Sequence, residues 1–368
     1  MRIGMIAPLE MRVPPVAYGG IELVVSLLTE ELVRRGHDVT LFASGDSVTH
    51  AQLVSCSPTS LRGTDAARDT LNAMNVSACL ARAGSFDVIH NHTGCDGMAV
   101  AGLAGPPMLS TLHGIPDDDW PTVFAHYQGW YNTLSWSFKR RLPFKPGFVG
   151  VIYNGLDVDS YPFTGSMGRG DHLLFLSRIS REKGAHLAIS VARKLGRRLV
   201  LAGNVASHDA EYFRTSVLPW IDGDQVQYVG EVDYNRKREV LQQPHCLLAP
   251  LTWDEPFGLF MVEAMACGTP VVGLNRGSIS EVVRHGETGF VVDTLAEMAT
   301  AVGRVDSIDR WRCRLDAQRR FDYRTMVDRY VAAYERVTSE ARVPVRPERR
   351  VAAGGSARAV GSLRRSER

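Results

Sequence analysis

One alternation, run twice, constrains this chain more than anything else in it. RIGMIAP, a short apolar run near the N-terminus, leads through a loop with VPPVAYGG into an amphipathic stretch from about Ile21 to Arg35. That stretch stops at Gly36, and HDVTLFAS follows as the next apolar run. Short apolar runs joined by helix-period stretches are strand–helix–strand grammar, and FDVIHNH and PMLSTLHG continue it. After VGVIYNGLDVDSYPF the pattern restarts with HLLFLSRI and the helix AHLAISVARKL, then RRLVLAGN, VQYVGEV, HCLLAPL, TPVVGL and GFVVD. Parallel strands strung this way need helices on both faces, so the expected fold class is α/β with two doubly wound parallel sheets. A chain of 368 residues accommodates two such domains. We place them at 1–155 and 156–320, joined around Asn154–Pro162, where Asn-Gly and Tyr-Pro break regular structure; a closing helix spans 321–340 and a tail runs over 341–368. Ligands of open α/β sheets bind beyond the carboxyl ends of the strands, and two facing sheets put those ends around one cleft. The residues just after strands are therefore the ones to inspect.

The formal net charge of +2 gives no case for a nucleic-acid partner. Residues 341–368 carry eight Arg and two Glu, a net of +6, which leaves −4 on the first 340 residues. The tail is poor in large apolar side chains and is expected to be disordered. A loose contact with anionic lipid headgroups is one reading of it, and a solvated tail without a role is the other. The six cysteines are widely spaced, without a C-x-x-C or His at metal-ligand spacing, which fits a reduced, cytoplasmic protein. The apolar run of the N-terminus is broken by Glu10 and Arg12, so it reads as a first strand rather than a signal peptide, and no segment is long enough to span a bilayer.

Several strand ends carry polar residues. Gly19 and Gly20 in YGGIE precede a helix, where backbone can approach a phosphate, but a plain turn explains them as well. A nicotinamide fingerprint would need a third glycine where Ile21 to Val24 stand. Arg178 and Lys183 lie five positions apart on the loop after HLLFLS and can straddle a diphosphate; alternatively they belong to a solvated basic loop. His113, in STLHG, could donate to a ligand or bond only to backbone. His90 and His92 alternate at another strand end but lack a clear third metal ligand, Asp87 and Asp96 being only loose candidates.

The stretch EPFGLFMVEAMACGTP, Glu255 to Pro270, holds the most informative pair. It reads as a turn and then a helix over FGLFMVEAMACG, with Glu255 just ahead of it and the free amides of Phe257, Gly258 and Leu259 forming its electropositive first turn. Helical side chains slant toward the N-terminus, so Glu263 leans back to the same end. A buried carboxylate there needs hydroxyls or amides to accept from, and a sugar nucleotide supplies them.

With these motifs in place, the chain resembles, from about Arg2 to Val337, the retaining glycosyltransferases of family four. The resemblance rests on YGGIE, TLHG, LSRISREKG, YVGEV, the E-x7-E pair Glu255 and Glu263, VRHGETGFVVD and FDYRTMVDRYVAAY. It implies the GT-B fold of two Rossmann-like domains facing a cleft. It implies hexosyl transfer from a nucleoside diphosphate sugar, with retention at the anomeric carbon and neither metal nor cofactor beyond the donor substrate. By position, it implies that Arg178 and Lys183 hold the diphosphate, Glu263 the ribose, and Glu255 with the Phe257–Leu259 amides the donor sugar. It likewise implies that Gly19, Gly20 and His113 approach from the other domain, and that the base meets backbone near Tyr228 to Gly230. The acceptor, a small molecule, lipid or saccharide, is expected on the N-terminal domain between Arg12 and Gly20 and from Pro116 to Pro146. Two rival readings remain: a sugar phosphorylase on the same fold, and a sugar-nucleotide-binding protein without turnover. A glycosidase fits less well, because its carboxyls face each other across the bond, whereas Glu255 and Glu263 flank one helix start.

Overall fold

The computed structural model describes residues 1–114, 120–163, 165 and 170–341. The tail over 342–368 and the start of the expected acceptor segment, 116–119, lie outside the described residues.

The first half forms a seven-stranded sheet from β1 (Arg2–Ile6), β2 (Asp38–Phe42), β3 (Gln52–Val54), β4 (Val88–Asn91), β5 (Met108–Leu112), β6 (Trp130–Thr133) and β7 (Phe148–Val151). Its order is 3-2-1-4-5-6-7 and every pairing is parallel. The second half forms a six-stranded sheet from β8 (Leu173–Leu176), β9 (Leu199–Ala202), β10 (Val226–Tyr228), β11 (Cys246–Ala249), β12 (Val271–Leu274) and β13 (Gly289–Val292), ordered 10-9-8-11-12-13 and again all parallel. Both sheets reverse their winding beside the first strand, between β1 and β4 and between β8 and β11. Those two switch points are where such sheets open a crevice. The six strands read from the second half are all present. Among the described residues, β3, β6 and β7 add to the four expected in the first half.

Strands with helices on both faces carry near-continuous apolar runs: β8 and β11 are buried at every position. The two cores are largely separate, one around Leu174, Leu201, Leu248 and Val272, the other around Ile3, Leu28, Leu41 and Leu109. The closing helix, Tyr323–Ala341, joins the wrong one by sequence order. It buries Val327, Tyr330, Tyr334 and Val337 in the core of the first domain. The helix before it, Arg310–Phe321, packs on the second domain, and Leu156 N–H donates to the Phe321 carbonyl at 2.8 Å while Tyr323 N–H donates to the Leu156 carbonyl at 3.0 Å. The first domain is thus completed by the last of the described helices.

The helix expected over FGLFMVEAMACG is shorter than its pattern. It spans Leu259–Ala266, preceded by Gly258 at φ 78°. Ser278 accounts for the delay: its N–H donates to the Glu255 carbonyl at 2.9 Å and its hydroxyl to the Phe257 carbonyl at 2.7 Å, holding that segment against the β12 loop instead of in the helix.

Candidate functional site

Between the two sheets lies a cleft of about 370 Å³, walled by the carboxyl ends of strands from both domains. From the first domain come Gly19, Gly20 and His113; from the second come Arg178, Lys183, Glu255, Phe257, Gly258, Leu259 and Glu263. All but one of the candidate residues therefore meet in one place. The exception is Gly230, which does not line the cleft and whose carbonyl accepts from Gly203 N–H at 2.8 Å, although its neighbours Glu231 and Val232 are on the wall.

The glycine pair sits where the helix Gly20–Arg34 begins, with its first amides toward the cleft. At Gly19 φ is 148° and a Cβ would come within 2.6 Å of Pro15, so only glycine fits there without strain; at Gly20 a Cβ would meet nothing, because the space beside it is open. Across the cleft both glutamates are buried and neutralised. Glu255 Oε2 receives Lys183 Nζ at 2.5 Å and Trp253 Nε1 at 3.2 Å, and the same ammonium stands 4.5 Å from the Trp253 ring. Glu263 Oε1 receives Lys237 Nζ at 2.5 Å and Tyr161 OH at 2.8 Å. Arg178 donates to Glu182 and lies 3.5 Å from Asp209, so it too is braced from behind.

Lys237, Tyr161 and Trp253 were missed by the sequence reading. Lys237 lies in YNRKREVLQ, a charged helix whose pattern does not separate one of its three cations from the others; only its packing beside Glu263 singles it out. Asn154 and Asn204 also line the cleft, and the buried Oδ1 of each has no hydrogen-bond partner among the described residues. They are two acceptors aimed at a polar guest. At the mouth, Glu231 of the second domain takes Arg62 of the first at 2.8 and 3.0 Å and the Tyr18 N–H at 3.4 Å, a contact spanning the domains.

His113 stands on the opposite wall, partly exposed, and also borders a second cavity of about 290 Å³ with Asn72, Cys95 and Asp96. Desolvation pushes its pKa down to about 4. His90 and His92 are buried within the first domain and bonded to each other, to His113, to Thr111 and to Tyr334; burial lowers both well below the ordinary value. Among the described residues no group of three or more His, Cys, Asp or Glu is arranged to hold a metal ion. Nor is any described helix long and apolar enough to cross a membrane.

The arrangement can bind an anion flanked by hydroxyls: three cations and two helix starts converge, with carboxylates beside them. Residues 164–310 match the family described as glycosyl transferases group 1, and residues 18–147 match glycosyltransferase family 4. The fold matches that of AviGT4, a glycosyltransferase involved in avilamycin A biosynthesis, with a TM-score of 0.69 and 27% identity over 92% of this chain and 98% of that one. The chain is a glycosyltransferase of the GT-B type. HepE of Anabaena, in complex with UDP and glucose, shares the fold at TM-score 0.71 and 19% identity, over 91% of this chain and all of that one. In sequence, the chain is 29% identical to the phosphatidyl-myo-inositol mannosyltransferase of Mycobacterium tuberculosis, over 94% of this chain and 100% of that protein. It is 28% identical to the putative glycosyltransferase YtcC of Bacillus subtilis, spanning 61% of this chain and 64% of that protein.

Proposed function

We propose that this glycosyltransferase moves a hexose from a nucleoside diphosphate sugar to an acceptor hydroxyl, with retention at the anomeric carbon and without a metal ion. One observation carries the reading: at a single helix start, two buried carboxylates are each held by a lysine at 2.5 Å, facing the Gly19–Gly20 helix start across the cleft. The diphosphate settles against Arg178, Lys183 and the amides before Leu259. Glu263 takes ribose hydroxyls and Glu255 the hexose. In the transfer the acceptor oxygen bonds to the anomeric carbon as the bond to the diphosphate oxygen breaks. The electron pair leaves on that oxygen, which takes the acceptor proton. Two cations and a helix N-terminus are suited to stabilise that charge. The carboxylates on the cleft wall, Glu231, Glu255 and Glu263, are each tied to a cation, which leaves none poised as a nucleophile and favours attack and departure on one face.

The test is donor consumption with UDP-, GDP- and dTDP-sugars over polyol, lipid and saccharide acceptors, with the product anomer read by NMR. UDP-sugars come first, since a chain of the same fold was crystallised with UDP and glucose. Activity is expected to survive chelator; loss in EDTA, restored by a divalent ion, overturns the metal-free reading. An inverted product overturns retention, and sugar phosphate formed from inorganic phosphate identifies a phosphorylase.

A further inference from the structure

His113 is the end of a buried hydrogen-bonded chain that runs from the closing helix to the cleft. Asn132 Oδ1 can only accept, so Thr111, 2.7 Å away, spends its one hydroxyl proton there. Thr111 Oγ1 must then accept from His90 Nε2 at 2.7 Å, which fixes the His90 proton on Nε2 and leaves Nδ1 as a lone pair. The other end agrees independently. The phenol of Tyr334 is buried, and its hydrogen-bond partner among the described residues is His90 Nδ1 at 2.7 Å; its proton is satisfied only if Nδ1 accepts. His92 Nε2 stands 3.2 Å from that same Nδ1, where a second lone pair would be repelled, so His92 carries its proton on Nε2 and offers Nδ1. His113 Nε2 lies 2.8 Å from that Nδ1 and must be the donor.

We propose that Thr111, His90, His92 and Tyr334 are positioning residues that fix His113 as the Nε2–H tautomer, so that it offers its Nδ1 lone pair to the ligand. Burial of His90 and His92, and desolvation of His113 in the cleft wall, keep the three rings neutral, which preserves the polarity. His113 then accepts from a sugar hydroxyl and is unsuited to a phosphate oxygen, which narrows the expectation that it approaches both. The closing helix, arriving from the second domain, thereby sets the chemistry of a side chain in the cleft. The role toward the sugar rests on the transferase reading; the tautomer does not.

The experiment is 15N NMR of the full-length protein with labelled histidines at neutral pH, His113 being assigned by the signal lost in His113→Gln. The expected result is a neutral ring protonated on Nε2. A ring protonated on Nδ1, or on both nitrogens, overturns the proposal. In Thr111→Val the acceptor for His90 is gone, and the proton pattern should reverse along the chain to His113. The donor KM should then rise roughly tenfold or more, as an unmatched buried polar group costs about 1–3 kcal/mol. Thr111→Ser should restore both readouts; a Ser variant as impaired as Val overturns the hydroxyl's role. If Thr111→Val does not fold, the wild-type spectrum still decides, and Tyr334→Phe, which removes the proton that His90 Nδ1 accepts, should bring up a second form of His113 protonated on Nδ1; a spectrum unchanged in Tyr334→Phe overturns the part given to the closing helix. The expected tautomer in a protein that consumes no nucleotide sugar leaves the network standing and sinks the transferase reading.

Discussion

Glu255→Gln separates ground-state binding from transition-state stabilisation, because Glu255 holds the lysine assigned to the diphosphate. The Lys183–Glu255 pair is nearly buried, with 13% and 9% of the two side chains exposed. Removing one partner of a buried pair costs about 3–5 kcal/mol. The ammonium retains the Trp253 face and access to cleft water, so we take the lower figure, about 3 kcal/mol. At roughly 2–4 °C per kcal/mol for a domain of this size, the melting temperature of the free enzyme should fall by about 6–12 °C. Nucleoside diphosphate should recover much of that loss, since its charge replaces the missing carboxylate. Donor KM should not rise, because Lys183 no longer has a competing anion. Turnover should drop by about 10²–10³, as when one preorganised electrostatic group is removed near a centre gaining positive charge. Steady-state kinetics with varied donor, alongside melts with and without nucleotide, read all of this. A raised KM with unchanged kcat refutes the role at the sugar, and an unchanged melting temperature refutes the energetics.

Arg178→Ala should weaken nucleoside diphosphate binding roughly tenfold to a hundredfold by calorimetry, since a charged hydrogen bond contributes about 1.5–3 kcal/mol; unchanged affinity would reduce Arg178 to surface charge braced by Glu182. Glu263→Gln should chiefly raise donor KM, because the ribose does not change during transfer, and a loss of kcat at saturating donor would contradict that. His90, His92 and His113 have folded-state pKa values below the unfolded 6.5, so the unfolded chain binds more protons below about pH 6.5 and stability should fall on acidification, by up to about 1.4 kcal/mol per pH unit for each ring; a melting temperature flat from pH 7 to 5 contradicts this. Glu22 works in the opposite sense: burial pushes its carboxyl up to about 7, so the folded state holds that proton while the unfolded one releases it above about pH 4.5. Glu22→Gln should therefore be more stable than wild type at pH 8, and equal stability there would place the carboxylate in contact with solvent.

Much of the site was legible because it lies at strand ends, and strand ends are legible. Arg178 follows β8, His113 follows β5, and Glu255 follows β11 by a short turn, so a correct strand reading carries the residues with it. The edge strands were less visible: β3 is three residues of ordinary polarity, and β7 is only half-buried, so neither imposes a strong apolar run. Residues that act across elements were not legible at all. Lys237 and Glu263 come together only because two helices pack, and Tyr161 reaches the same carboxylate from the inter-domain segment. The closing helix shows the limit most clearly. Its apolar stripe announces a buried face, but periodicity cannot say which of two cores receives it. The return to the first domain is fixed by the pairing of Leu156 with the backbone at Phe321 and Tyr323, a contact across more than 160 positions of sequence. The same return brings Tyr334 to His90, so the part of the fold least predictable from local pattern is also the part that sets the protonation of His113.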